Sequence, residues 1–144
     1  MGPISSRLSG AALAPALFLA LTLAAGAFAS EPPEVCNARP YVVKIHAEWC
    51  GTCTAIAPTW EQLRSDVGDR AILVTLDVTD RVAFEESKAR AEALGLLDFF
   101  RDYQRQTGTV AVIDCESHEP VAILRAEKDL LKYQEAIDKA GKSS

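Results

Sequence analysis

Two cysteines, Cys50 and Cys53, stand where an apolar run gives way to an amphipathic segment, and this placement constrains the fold more than any other feature. The run from Tyr41 to Ala47 is rich in β-branched residues, which predicts a strand. The following segment repeats apolar side chains at helical spacing as far as Gly68, which predicts a helix. Cys50 would then lie at a helix N-terminus, where free backbone N–H groups and the helix dipole stabilise a thiolate. Because the thiolate is the reactive form of cysteine, the pair is a candidate redox centre.

The first 29 residues differ in composition from the rest of the chain. Arg7 is their single charged side chain, and the later part of this stretch consists mostly of Ala, Leu, Phe and Gly. Ala27-Phe28-Ala29 then supplies the small-x-small pattern of a cleavage site before Ser30. We therefore predict a signal peptide at residues 1–29, cleaved after Ala29, and a periplasmic or secreted protein. An uncleaved membrane anchor is the less favoured alternative.

Removal of this leader would leave residues 30–144, a length that suits one compact domain. That part carries 14 basic and 20 acidic side chains, a net charge of −6. It contains no cluster of Lys and Arg with interleaved aromatic residues, so we do not expect nucleic-acid binding. The negative charge favours solubility, and we expect a monomer.

The hydrophobic pattern predicts the remaining elements. An almost continuous apolar run at 71–78 indicates a strand covered on both faces, as in a parallel pair. After it come helices at about 82–94 and 96–106, strands at 109–114 and 120–125, and a last helix that ends before Gly141. The short link between the last two strands implies an antiparallel hairpin. A right-handed crossover makes the first two strands parallel. The predicted fold class is α/β, a mixed four-stranded sheet with helices on both faces.

The segment Ala47-Glu48-Trp49-Cys50-Gly51-Thr52-Cys53, followed by Ala57-Pro58, resembles the active-site sequence of the thioredoxin superfamily. The match in element order covers nearly all of residues 36–141 and implies a thioredoxin-like fold. In the family, a proline at the place of Pro58 kinks the active-site helix, because proline removes one helix hydrogen bond.

The resemblance implies that Cys50 attacks a disulfide and that Cys53 resolves the mixed disulfide. The residues alone agree, since Cys50 would lie at the exposed tip of the helix and Cys53 one turn further in. We expect Trp49 to shield the pair and to offer a flat apolar contact. Gly51 would allow a substrate backbone to approach closely, and Thr52 would tune the start of the helix.

Two positions depart from the family pattern. Gly108 stands where the family has a cis-proline facing the cysteines. A cis bond before a non-proline residue costs about 2.5–4 kcal/mol, so we expect a trans bond and a more flexible edge of the cleft. Lys44 stands six positions before Cys50, where many members carry a buried acidic residue. A lysine there would stabilise thiolates by charge, which predicts a low Cys50 pKa and a more oxidising couple. Alternatively, Lys44 extends into solvent.

His46 shares a strand face with Lys44. It is expected to be a packed neighbour, with a role in ionising Cys50 or in binding a metal as the alternatives. Cys36 and Cys115 remain once Cys50 is paired with Cys53. In the family's sheet their strands are antiparallel neighbours, which would bring these two cysteines together at the pole away from the redox pair. We predict a structural Cys36–Cys115 disulfide closing a loop of about 80 residues, worth roughly 4 kcal/mol. The alternative is that one of the two is a second redox thiol.

The leading interpretation is an exported thiol–disulfide oxidoreductase that exchanges disulfides with protein clients, in which a membrane redox partner recycles the pair. Sulfur chemistry of this kind requires no cofactor, and we predict no metal site. A copper-handling protein that uses Cys50, Cys53 and His46 is one alternative. A binding module in which the Cys50–Cys53 disulfide is merely structural is the other.

Overall fold

The computed structural model describes residues 37–142, all of which belong to one compact unit. The predicted leader at 1–29 and Cys36 lie outside these residues. In chain order the elements are β1 (Tyr41–His46), α1 (Gly51–Val67), β2 (Ile72–Asp77), α2 (Arg81–Ala93), α3 (Leu97–Tyr103), β3 (Thr109–Ile113), β4 (Pro120–Arg125) and α4 (Leu130–Ala140). The predicted order is therefore confirmed, and the largest shift is at α3, which ends at Tyr103 rather than near residue 106.

The four strands form one mixed sheet in the order β2-β1-β3-β4. β1 pairs in parallel with β2 and antiparallel with β3. The hairpin of β3 and β4 is antiparallel, as the short link between them predicts. The parallel pair is connected through α1, which is the crossover that parallel strands require.

Helices cover both faces of this sheet, because the side chains of β1 alternate between two cores. Val43 and Ile45 pack in one core with Phe99 and Phe100 of α3, and α2 contributes to the same side. Val42 belongs to the other core, which is built with α1 and α4. The predicted α/β architecture with helices on both faces is thus confirmed.

β2 differs from its prediction, because it is not covered on both faces. Alternate residues from Ile72 are buried, and the residues between them are half-buried. Among the described strands β2 lies at an edge of the sheet, whereas β1 and β3 are central and buried almost throughout. The apolar run at 71–78 was misleading because Leu73 is an apolar residue on the less covered face.

The helices of residues 37–142 include none that is both long and apolar enough to cross a membrane.

Candidate active site

Cys50 lies at the turn that joins the end of β1 to the start of α1. Its backbone is extended, with φ −87° and ψ 106°, and it is the N-cap residue of the helix. The Cys50 N–H donates to the carbonyl of Ala47 at 3.2 Å, and the Cys50 carbonyl accepts from the N–H of Thr54 at 3.2 Å. The predicted position at a helix N-terminus is therefore the observed one.

Cys50 and Cys53 form a disulfide whose Cα atoms are 5.2 Å apart. The backbone N–H of Cys53 also donates to Sγ of Cys50 at 3.0 Å. The first N–H groups of a helix lack partners within the helix, so the cysteine sulfur acts as the capping acceptor. In the reduced protein the same N–H would stabilise a Cys50 thiolate.

Both sulfurs are more enclosed than the sequence suggests. Cys50 is 6% exposed and Cys53 is 2% exposed, so the expectation that Cys50 lies at an exposed tip is wrong. The pair packs with Ala47, and Val78 covers the same cluster. Cys50 still keeps the larger exposed fraction, which fits its predicted role as the attacking thiol. Sγ of Cys53 lies 3.8 Å from the carbonyl of Ile45, facing the sheet.

Trp49 extends outward beside the pair, and 67% of it is exposed. Its indole N–H donates to the carbonyl of Thr79 at 3.0 Å, which fixes the ring at its polar end. The ring therefore offers the expected apolar surface beside the cysteines, while Ala47 and Val78 are the residues that pack against the pair.

A hydrogen-bond network after β2 fixes the loop that leads to Cys50. The sequence did not predict this network. The Thr79 hydroxyl accepts from the backbone N–H of Glu48 at 2.9 Å and donates to the carboxylate of Asp77. Ser87, which is buried in α2, accepts from the Asp77 N–H at 2.7 Å and donates to the Asp77 carbonyl at 2.8 Å. The residues that precede Cys50 are thus fixed to β2 and α2 through three polar side chains.

Gly51 and Pro58 shape the helix itself. Gly51 is the first helical residue, and a Cβ placed on it would meet no atom within 4 Å, so the space in front of it is open. This agrees with the predicted close approach of a substrate backbone. Pro58 lies inside α1, where it lacks the N–H that would bond to the carbonyl four residues earlier.

Lys44 is buried in β1, with only 7% of the residue exposed, and it does not extend into solvent. Its Nζ lies 4.6 Å from the ring centroid of Trp60, a cation–π contact. Burial is the main cause that lowers the pKa of Lys44; Glu61 opposes this shift, Arg64 adds to it, and Asp77 opposes it. Helical spacing alone does not reveal which strand residue the indole ring of Trp60 covers.

His46 lies opposite Asp77 in the parallel register and is half-buried. Its Nδ1 is buried and has no hydrogen-bond partner among the described residues. Residues 37–142 contain no group of three or more His, Cys, Asp or Glu side chains that could hold a metal ion. Cys115 is buried just after β3. Because Cys36 lies outside the described residues, the Cys36–Cys115 disulfide stays a prediction.

Comparison with known proteins identifies the family. The thioredoxin family model matches residues 21–122. The chain belongs to the thioredoxin family. It is 36% identical over 64 residues to a thioredoxin H-type of Chlamydomonas reinhardtii, covering 44% of this chain and 56% of that protein. It is 29% identical over 101 residues to the thiol:disulfide interchange protein TxlA homolog of Synechocystis, covering 70% of this chain and 54% of that protein.

The chain spans about half the length of these two curated relatives. Among solved structures, the X-ray structure of Fasciola hepatica thioredoxin is similar at 24% identity and a TM-score of 0.49, covering 72% of this chain and 82% of that one.

Gly108 takes the place of the family's cis-proline in a different conformation. The described residues contain no cis peptide bond, and Gly108 has φ +82°. Its N–H donates to the carbonyl of Ile45 at 2.9 Å, and its carbonyl accepts from Ala126 at 3.4 Å. The trans bond is as expected, and these two hydrogen bonds tie the segment to its neighbours; the flexibility of this edge of the cleft stays a prediction. A Cβ on Gly108 would lie 2.5 Å from Cγ2 of Thr52, so Thr52 occupies the space in front of the glycine.

We predict that Gly108→Ala lowers the free energy of unfolding by about 2–4 kcal/mol, because alanine is strained at positive φ and its methyl group would overlap Thr52. Urea denaturation measures this value. Gly51→Ala is the matched control, and it should be neutral or stabilising by up to about 1 kcal/mol. Combining Gly108→Ala with Thr52→Gly should recover part of the loss in a double-mutant cycle. Equal effects of the two glycine substitutions would contradict this account.

We predict that Lys44→Met raises the free energy of unfolding at pH 7 by about 1 kcal/mol, because a buried charge gives way to an apolar side chain. The folded-state pKa of Lys44 is lowered from 10.5, so the unfolded chain binds its proton more tightly. As the pH rises from the lowered pKa toward 10.5, the free energy of unfolding of the wild-type protein should therefore increase relative to that of the variant.

Denaturation of both proteins between about pH 7 and pH 10 tests the sign of this difference. Lys88→Met is the control, since Lys88 is exposed on α2 and the substitution removes the same charge from the surface. If Lys44→Met destabilises the protein equally at every pH, the cation–π contact outweighs the cost of burying the charge.

Proposed function

We propose that the protein is a thiol–disulfide oxidoreductase that acts on protein disulfides through Cys50 and Cys53. The observation that carries the proposal is the disulfide at the start of α1, in which the N–H of Cys53 already points at Sγ of Cys50. A hydrogen bond to the charged form of a group favours that form, so this contact favours a Cys50 thiolate after reduction. Family membership and the relatives named as thioredoxin and as a thiol:disulfide interchange protein support it.

In the reducing direction, the Cys50 thiolate attacks one sulfur of a client disulfide. A Cys50–client disulfide forms, and the other client sulfur leaves as a thiolate that takes up a proton. Cys53 then loses its proton and attacks Sγ of Cys50, which releases the second client thiol and closes the Cys50–Cys53 bond. Two electrons pass from the protein to the client. Run in reverse, the same steps oxidise a client dithiol.

The surface beside the pair suits a polypeptide client. Trp49, the residue before Cys50, is 67% exposed. A large apolar side chain that remains in solvent beside a reactive centre favours contact with another protein. The open space in front of Gly51 would let the client's backbone come close to Cys50.

We further propose that the protein is exported, with residues 1–29 as a cleaved signal peptide and residues 30–144 as the mature domain in a periplasmic or secreted location. An oxidising compartment lets disulfides persist, so a pair that works as a reductant there needs electrons from a membrane redox partner. A pair that works as an oxidant needs an oxidising partner instead. The reduction potential of the Cys50–Cys53 pair against glutathione would decide the direction.

The copper-handling alternative rests on the cysteine pair and His46, and residues 37–142 contain no group of three or more His, Cys, Asp or Glu side chains that could hold a metal ion. The alternative of a merely structural Cys50–Cys53 disulfide is an outcome of the activity test below.

We predict that wild-type protein accelerates the reduction of insulin disulfides by dithiothreitol and that Cys50→Ser lowers the rate to that of dithiothreitol alone. Cys53→Ser should also lose turnover, but it should accumulate a mixed disulfide between Cys50 and the client, because the resolving thiol is missing. Mass spectrometry of the trapped complex identifies the linked residue. Activity that survives Cys50→Ser, or a wild-type disulfide that resists dithiothreitol, would refute the proposal.

For the exported protein, we expect an N-terminus at Ser30, because the cleavage pattern ends at Ala29. Intact-mass measurement of the protein recovered outside the cytoplasm tests the cleavage. Peptide mapping of the same sample without reductant should recover Cys36 linked to Cys115. Retention of the leader would argue for a membrane anchor, and free thiols at these two positions would rule out the structural disulfide.

A further inference from the structure

A surface cavity of about 340 Å³ lies between α1, β2 and α2, separate from the redox pair. Five residues line it: Trp60, Arg64, Leu73, Thr75 and Arg90. Trp60 follows Cys50 by ten residues, which places it about 15 Å away along a helix. The cavity is therefore not the place where a client disulfide meets the cysteines.

The polar side chains of this cavity are hydrogen-bond donors, and no carboxylate is among its lining residues. Arg64 has an ion pair with Glu61 at 3.5 Å, in which the two side chains are 57% and 66% exposed. Such exposed pairs contribute little, so Arg64 can turn toward another anion at small cost. Arg90 has no ion-pair partner among residues 37–142.

Lys44 places a third positive charge beside the same wall. Its Nζ is 4.6 Å from the centre of the Trp60 ring, and the charge of Arg64 contributes to lowering the pKa of Lys44. The carboxylates of Glu61 and Asp77 act on Lys44 in the opposite sense. Two basic side chains, Arg64 and Lys44, thus act on each other beside this wall, on a chain whose formal net charge is −5. An anion in the cavity would act on Lys44 in the same sense as the two carboxylates.

We propose that this cavity binds a small dianion that carries carboxylate or phosphate groups. The guanidinium forks of Arg64 and Arg90 are suited to paired oxygen atoms, and the Thr75 hydroxyl can donate a further hydrogen bond. Trp60 and Leu73 supply an apolar wall for a short carbon chain. The volume exceeds that of a single water by about tenfold, so a compact organic anion fits as well as inorganic phosphate.

The test is titration of the purified protein with succinate and, separately, with inorganic phosphate, followed by calorimetry and by the fluorescence of Trp60 in a Trp49→Phe background. Succinate is the organic dicarboxylate probe, and phosphate is the inorganic one. We expect saturable binding of at least one of them at constant ionic strength, with chloride giving no saturable signal.

Arg64→Gln and Arg90→Gln should each weaken binding by about tenfold or more, because each removes a charged donor pair. Arg81→Gln is the matched control: it removes the same charge from the same helix as Arg90, about 13 Å along the axis, and should change affinity less than twofold. Circular dichroism verifies that each variant is folded.

Absence of saturable binding by both anions in the wild-type protein would overturn the proposal. So would equal weakening by Arg81→Gln and Arg90→Gln, which would indicate attraction by overall charge rather than a site. None of these readouts depends on exchange activity, so the result is independent of the redox proposal.

Discussion

The functional chemistry depends on one junction, at which a strand that is buried almost throughout ends and a helix begins with a cysteine as its N-cap. β1 is held in the centre of the sheet by β2 on one side and β3 on the other, and its end cannot move without disturbing both. α1 is fixed against the sheet by Trp60 and Leu63, which are buried in the core it shares with α4. Cys50 lies between these two elements, and its Sγ accepts a hydrogen bond from the backbone N–H of Cys53. The fold itself therefore forms this contact before any client binds.

Local sequence patterns predicted most of the helices and strands that form this junction. The strand at Tyr41, the helix after Cys50 and the antiparallel hairpin were all recoverable, because each depends on local periodicity and on the length of a link. The burial of β2 was not recoverable, since an apolar run does not say whether a strand lies at the edge of a sheet. Val78, which follows the end of β2, packs against the cysteine pair and contributes to the burial of Cys50. The Thr79 network was equally hidden, because its partners Glu48 and Asp77 meet only in the folded chain.

Gly108 illustrates how the sequence can locate an exception without revealing its surroundings. The absence of the proline predicted a trans bond at this position, and the glycine predicted a flexible edge of the cleft. In the structure its N–H and carbonyl are both used, and the methyl group of Thr52 fills the space before it. Thr52 and Gly108 are therefore matched to each other: a larger residue at 108 requires a smaller one at 52. Single-residue reasoning cannot find such a pair, because the two positions are far apart in the chain.

Lys44 is next in sequence to a residue that faces the redox pair, and it contacts a residue that lines the cavity. It precedes Ile45, whose carbonyl faces Sγ of Cys53, and its ammonium group rests on Trp60, which also lines the cavity with Arg64 and Arg90. Burial disfavours the charged ammonium, whereas an anion in that cavity would favour it. A charged Lys44, as predicted from its place in the sequence, would in turn favour ionised sulfur, and hence the reduced pair, over the neutral disulfide. Because coupling between two sites is reciprocal, an anion that binds the reduced protein more tightly must also make the pair easier to reduce. If the proposed cavity binds an anion, the lysine that stands in place of the family's acid would make the potential of the cysteines responsive to that anion.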